Sequence, residues 1–211
     1  MIVQSFTFNG FQENTYVVSD DSLECVIFDP GCSNGSEEQR LQQYILDKGL
    51  KPVRLINTHC HIDHILGNKF VSDTYNLPLE AHAGEVPVLE SGKAVSQNYG
   101  IPYTESPPIA KYLEENDQIS FGHTTLKALF TPGHSPASLS FYHADSHTLI
   151  AGDVLFHGSI GRTDLPGGNF ETLIRNIKEK LLVLPDETTV YSGHGPATTI
   201  GYEREHNQFL Q

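Results

Sequence analysis

Asn57-Thr58-His59-Cys60-His61-Ile62-Asp63-His64 places four potential metal ligands, His59, His61, Asp63 and His64, within six positions. The apolar run Val53-Arg54-Leu55-Ile56 precedes it and a helical pattern opening near Ile65 follows, so the octet reads as the loop from a strand into a helix. Imidazole and carboxylate donors together suit zinc, iron or manganese, and they differ from the thiolate set of a small structural zinc module. On an extended exit from the strand, alternation points His59, His61 and Asp63 to one side, while the turn into the helix re-aims His64 beside Asp63. Cys60 then points the other way and reads as a small buried side chain. A solvated turn with Asp63 as a helix cap is the plainer alternative. Three later sites argue against it.

Thr124-Thr125-Leu126-Lys127-Ala128-Leu129-Phe130 runs into Thr131-Pro132-Gly133-His134, Thr148-Leu149-Ile150-Ala151 into Gly152-Asp153, and Thr188-Thr189-Val190-Tyr191 into Ser192-Gly193-His194. Each time a strand-like run ends and glycine, which tolerates turns other residues resist, precedes a possible ligand. His134, Asp153 and His194 thereby join the loop ligands at strand ends.

This combination, H-x-H-x-D-H followed by a single His, an Asp and a last His, resembles the metallo-β-lactamase superfamily over nearly the whole chain. The resemblance implies that His59, His61 and His134 bind one divalent metal and Asp63, His64 and His194 a second, with Asp153 bridging. Zinc is the first expectation for both, iron and manganese the alternatives. It also implies a four-layer αββα sandwich of two mixed sheets with helices outside, with residues 1–211 as one domain. Asp29, in Asp29-Pro30-Gly31, would orient a ligand from behind the metal loop; a plain turn residue is the competing reading. Asp153 in place of a cysteine argues against a β-lactamase of the best-known type. The run Gly161-Arg162-Thr163-Asp164-Leu165-Pro166-Gly167-Gly168, with Gly193-His194-Gly195-Pro196 after it, is similar to the small glyoxalase II type hydrolases. Persulfide dioxygenases are similar through Gly161 to Asp164.

Two metals about 3.5 to 4 Å apart share a water and lower its pKa towards ~7, so no protein nucleophile is required. A thiolate leaving group needs little protonation, which suits a site without an evident general acid. The expected activity is therefore hydrolysis of a small hydroxyacyl thioester derived from glutathione, such as S-lactoylglutathione, with Asp63 and Asp153 as the catalytic carboxylates. Arg162 would bind a substrate carboxylate bidentately, or else pair with Asp164. The chain ends at Gln211, so the helical glutathione-binding domain of ordinary glyoxalase II is expected to be missing. Rival readings are a one-iron persulfide dioxygenase using His59, His134 and Asp153, a lactone hydrolase of the same superfamily, and a metal-free binding protein.

Composition narrows the classes. A chain of 211 residues with 38% hydrophobic content fits one globular domain or a tightly fused pair of half-domains. A formal net charge of −13 disfavours nucleic acid and anionic membrane as partners. Cys25, Cys32 and Cys60 lack any framework spacing, and the N-terminus has no basic segment leading into an apolar core. Both features point to a cytoplasmic protein.

Along the chain, strands at Ile2 to Phe8, Thr15 to Ser19 and Cys25 to Phe28 read as an antiparallel meander. Helices are expected at Glu37 to Lys48 with Ser36 as cap, at Ile65 to Tyr75, at Phe170 to Leu182 and at Tyr202 to Phe209, with a strand at Leu77 to Ala81. Ser91 to Lys111, broken by Gly92, Gly100, Pro102, Pro107 and Pro108, reads as a long loop in which Tyr99 and Tyr103 cover substrate or pack on the surface. His82, His123, His143, His147, His157 and His206 fall outside the motif and read as surface or structural.

Overall fold

The computed structural model describes residues 1–211, and the chain divides into two compact units, Met1–Tyr112 with Ser120–Thr124 and Leu113–Ile119 with Thr125–Gln211. In the first unit, β1 (Ile2–Phe8), β2 (Glu13–Ser19) and β3 (Glu24–Phe28) form the antiparallel meander. There follow α1 (Gly35–Asp47), β4 (Lys51–Ile56), α2 (Ile62–Ile65), α3 (Asn68–Tyr75), β5 (Leu79–Ala81), α4 (Val86–Tyr99) and β6 (Ile109–Tyr112). Intervening helices make β4, β5 and β6 parallel additions, because a crossover returns the chain in the same direction where a hairpin reverses it. The result is a mixed sheet in the order β1-β2-β3-β4-β5-β6. Leu41 and Ile45, four residues apart on α1, join Val71 of α3, Leu89 of α4 and the sheet residues Ile27, Leu55 and Leu79 in one core.

Three expectations are corrected here. Asn34, not Ser36, caps α1: its side chain accepts from the backbone N of Ser36 and Glu37. The helix expected over Ile65 to Tyr75 is two pieces, and Asp63 lies inside the first, so its direction comes from a helical turn rather than from strand alternation. Most of the expected Ser91 to Lys111 loop is α4 and β6, with only residues 101–108 irregular between them. Gly92 is no helix breaker there. A Cβ on it would stand 3.1 Å from Ile65 Cδ1 and 3.2 Å from Tyr103 Oη, so the glycine serves close packing.

The second sheet takes β7 (Gln118–Phe121), β8 (Thr124–Phe130), β9 (Leu139–His143) and β10 (Thr148–Gly152). A small hairpin of β11 (Leu155–Phe156) and β12 (Ser159–Ile160) comes next, then α5 (Phe170–Asn176), which continues through a π-helical turn at Ile177–Leu181. The chain closes with β13 (Thr189–Ser192), β14 (Thr198–Thr199) and α6 (Ile200–His206), the last capped by Thr199. The order β14-β13-β10-β9-β8-β7 is again mixed, since β13 runs parallel to β10 while β9 and β14 are antiparallel to their neighbours. Leu149, Ala151, Val154, Leu173, Ile177, Val190 and Ile200 belong to its core. Cys25, Cys32 and Cys60 are free and buried, and no helix is long and apolar enough to cross a membrane.

Candidate metal centre

In the first unit the end of β4 delivers the loop carrying His59, His61, Asp63 and His64. His59 and His64 are fully buried, with ring centroids 4.2 Å apart, and the His61 ring lies 4.8 Å from His59. Behind them stands Asp29, whose φ of 48° is a sparsely populated conformation for a residue with a side chain. Its Oδ1 accepts from Thr58 N at 2.6 Å and its Oδ2 from Thr58 Oγ1 at 2.6 Å, while His64 Nδ1 lies 3.2 Å from the same Oδ2. Asp29, His59 and His64 offer donor atoms within 4.8 Å of one another.

These contacts dictate tautomers. Thr58 spends its only hydroxyl proton on Asp29, so at 3.1 Å it can only accept from His59 Nδ1–H. A carboxylate oxygen also accepts only, which favours Nδ1–H on His64. In His59 the lone pair is then left on Nε2, the atom a metal takes when a hydroxyl holds the other nitrogen, and the Asp29 carboxylate favours the same arrangement in His64. Asp63 Oδ2 lies 3.7 Å from His64 Nε2. The loop is pinned elsewhere too: buried Glu85 accepts from Cys60 N at 2.9 Å, and Asn9 Nδ2 donates to Asp63 O at 3.0 Å. Burial pushes the Cys60 thiol well above its ordinary pKa, which leaves it inert as a nucleophile. Burial likewise pushes the Glu13 carboxyl up, with nearby His64 acting in the opposite direction.

In the second unit His134, Asp153 and His194 follow β8, β10 and β13, as expected. His134 Nδ1–H donates to the Arg162 carbonyl at 2.7 Å, which again leaves the lone pair on Nε2. That Nε2 lies 3.5 Å from Asp153 Oδ2, and His194 Nε2 lies 3.4 Å from the same oxygen. Two donors on one tetrahedral ion, each about 2.0–2.2 Å from it, stand about 3.4 Å apart. One carboxylate oxygen thus sits at ligand spacing from two imidazoles. The donor set fits divalent metal in both units.

The backbone around these residues explains its glycines. Gly133 has φ 136°, and a Cβ there would lie 2.4 Å from Leu173 N, so the His134 loop closes directly onto α5. That helix holds the loop further through Asn169 N to Gly133 O at 2.7 Å and Asn176 Nδ2 to Pro132 O at 3.1 Å. Gly161 is a closer case: its Cβ would meet Asp153 O at 1.9 Å and His134 Cβ at 3.0 Å.

Arg162 is ion-paired to Asp164 through Nε and Nη2 at 2.7 and 2.8 Å, with both side chains exposed. That hydrogen bonding holds the Asp164 carboxyl down at about 2. His157 lies apart from the ligands, its Nδ1 3.4 Å from Thr198 Oγ1 and its ring stacked on Tyr202. Thr58, Glu85, Asn57 and Asn68 contribute to the site and were not singled out from the sequence. Only the adjacency of Asn57 and Thr58 to the motif could have marked any of them.

A profile of the family described as Metallo-beta-lactamase superfamily matches residues 8–194. YqgX of Bacillus subtilis, a probable metallo-hydrolase, is 45% identical over 203 residues, covering 94% of this chain and 92% of its own length. The hydroxyacylglutathione hydrolase GloC of Haemophilus influenzae is 32% identical over 212 residues, covering 100% of this chain and 98% of its own. Among solved structures, that of BLEG-1 B3 metallo-beta-lactamase superposes with a TM-score of 0.91 at 39% identity, covering 100% of both chains.

Proposed function

The chain belongs to the metallo-beta-lactamase superfamily, with its α/β fold of two mixed sheets and helices, and on that premise we propose that this metal-dependent hydrolase cleaves hydroxyacyl thioesters of the S-lactoylglutathione kind. The observation that supports the reading is that Asp153 Oδ2 lies 3.5 and 3.4 Å from His134 and His194 Nε2, a spacing compatible with a carboxylate shared between two ligand sets. In the proposal His59, His61 and His134 would hold one divalent ion, Asp63, His64 and His194 would hold another, and Asp153 would be available to both. Bound there, such ions would supply Lewis acidity and a water acidic enough to attack at neutral pH.

The chain's own groups do the rest. Thr58 keeps His59 in the Nδ1–H tautomer, so that ring need not reorganise when charge develops, and the Asp29 carboxylate faces Nδ1 of His64 at 3.2 Å. Water adds its oxygen to the thioester carbonyl carbon, the C–S bond breaks, and the departing thiolate takes up the proton that water gives up, leaving hydroxy acid and free thiol. Arg162 would take the substrate's carboxylate in exchange for Asp164, which stays ionised and pairs with the guanidinium until substrate arrives. The 32% identical hydroxyacylglutathione hydrolase supports this choice of substrate. The 39% identical lactamase supports a second one, a lactam.

The test is metal content per chain by mass spectrometry, with S-lactoylglutathione and nitrocefin turnover followed on the same sample. Close to two metals, and thioester turnover that chelation abolishes and zinc, iron or manganese restores, is the expected result. Nitrocefin as the far better substrate would move the assignment to a lactamase. One iron with oxygen uptake on glutathione persulfide would overturn both.

A further inference from the structure

Asn68, the first residue of α3, is fully buried beside the metal loop, and its Nδ2 joins two neighbouring side chains. Its Nδ2 donates to Asn57 Oδ1 at 2.7 Å and to Ser106 Oγ at 2.9 Å. Asn57, also fully buried, donates from its own Nδ2 to the His64 carbonyl at 3.0 Å and to Asp29 Oδ1 at 3.3 Å. Beyond Asp29 stand Thr58 and, through it, His59. On the other side Ser106 Oγ–H donates to Pro107 O at 3.1 Å, which leaves its lone pair for Asn68, and Ser106 N donates to Tyr103 Oη at 3.0 Å.

An amide can be turned end for end at little steric cost, so hydrogen bonding alone decides which way Asn57 faces. Reversed, its oxygen would meet a carboxylate and a carbonyl, two acceptors in a buried place where water cannot intervene. As it stands, its oxygen faces Asn68 and needs a donor there. We infer that Asn68 is a positioning residue for the metal centre, fixing the Asn57 amide so that Asp29 and the backbone of His64 are held in the geometry that presents Nε2 of His64 and His59. Through Ser106, the same amide ties the irregular 101–108 segment to those ligands. The inference rests on the reading of His59 and His64 as ligands, and not on any choice of substrate.

The experiment is cobalt(II) titration of the intact protein, with affinity measured by competition against a chelator and ligand geometry read from the visible absorption bands. Asn68→Leu is close in size and has no donor; Asn68→Ala is the smaller second variant. Either is expected to weaken at least one cobalt ion roughly 10- to 100-fold and to alter the bands, while Ser106→Ala, which leaves the Asn57 bond in place, stays within about threefold of the parent, a shift of only ~0.6 kcal/mol. Parental affinity and bands in a folded Asn68 variant would overturn the inference, as would an equal loss in Ser106→Ala, which would assign the effect to loop packing. Should both Asn68 variants fail to fold, imidazole nitrogen shifts of the parent protein decide: a proton on His64 Nδ1 supports the inference, a proton on Nε2 sinks it. A parent protein that takes up no cobalt would instead refute the ligand reading itself.

Discussion

Thr58 has one hydroxyl proton and gives it to Asp29, and that assignment forces the His59 proton onto Nδ1. Thr58→Val keeps the shape and removes both roles. Expected are a 10- to 100-fold loss of zinc affinity by calorimetric titration and a stability loss of about 1–2 kcal/mol in urea; unchanged affinity would separate Thr58 from the metal centre. Gly161 makes a second case. With a Cβ bound to collide with the Asp153 carbonyl, Gly161→Ala should cost more than about 2 kcal/mol in urea unfolding. The Gly161 to Asp164 run is visible in the sequence as a family likeness, yet the reason for its glycine is a backbone 8 residues away, which no local pattern records.

At the scale of elements, capping chemistry was legible in kind but misplaced. Asn34 and Ser36 are both good caps by type, and the choice depends on which one takes the extended backbone; Asn34 does, at φ −155° and ψ 163°. Asn34→Ala should therefore cost about 1 kcal/mol and Ser36→Ala less than about 0.5 kcal/mol in denaturant unfolding, and the reverse order would contradict the cap. In α4 the departure from expectation has a different source. Proline in its first turn costs nothing there, and Gly92 is demanded by Ile65 and Tyr103, residues outside the helix. Breaker residues lower a local helix signal, and a tertiary contact restored it.

Over the whole molecule, 26 acidic side chains against 13 basic ones leave a formal net charge of −13. Asp20 shows how one of these charges is made stabilising. Burial works against its ionisation, but hydrogen bonds from the Ser22 side chain, from the backbone of His123 and Ser22 and from Thr124 prevail and hold its pKa down to about 2. A carboxyl depressed in the folded state contributes stability that is complete above its unfolded value of about 3.9 and is lost as pH falls towards the folded one. Stability should thus decline between about pH 4 and pH 2, and Asp20→Asn should flatten that limb, the two proteins converging at the acid end. A variant that kept the full decline would assign it to other carboxyls. Metal acts on the same scale: at a free concentration a hundred times its Kd it should add about 2.7 kcal/mol, so a chelator should lower the unfolding temperature of the loaded protein.

By itself the sequence determined the candidate ligands, their order and their places at strand ends, together with the meander of β1 to β3. These are local matters: a strand followed by a glycine turn, or a dense run of donors, is written in neighbouring residues. What only the tertiary structure decided is which partner each polar group meets. Asp29 accepts from Thr58, 29 residues on; Asn68 donates to Asn57 and Ser106, 11 and 38 residues away; and the Arg162 carbonyl sets the tautomer of His134. Hydrogen bonds act over about 3 Å, and folding brings residues to that distance without regard to their separation along the chain.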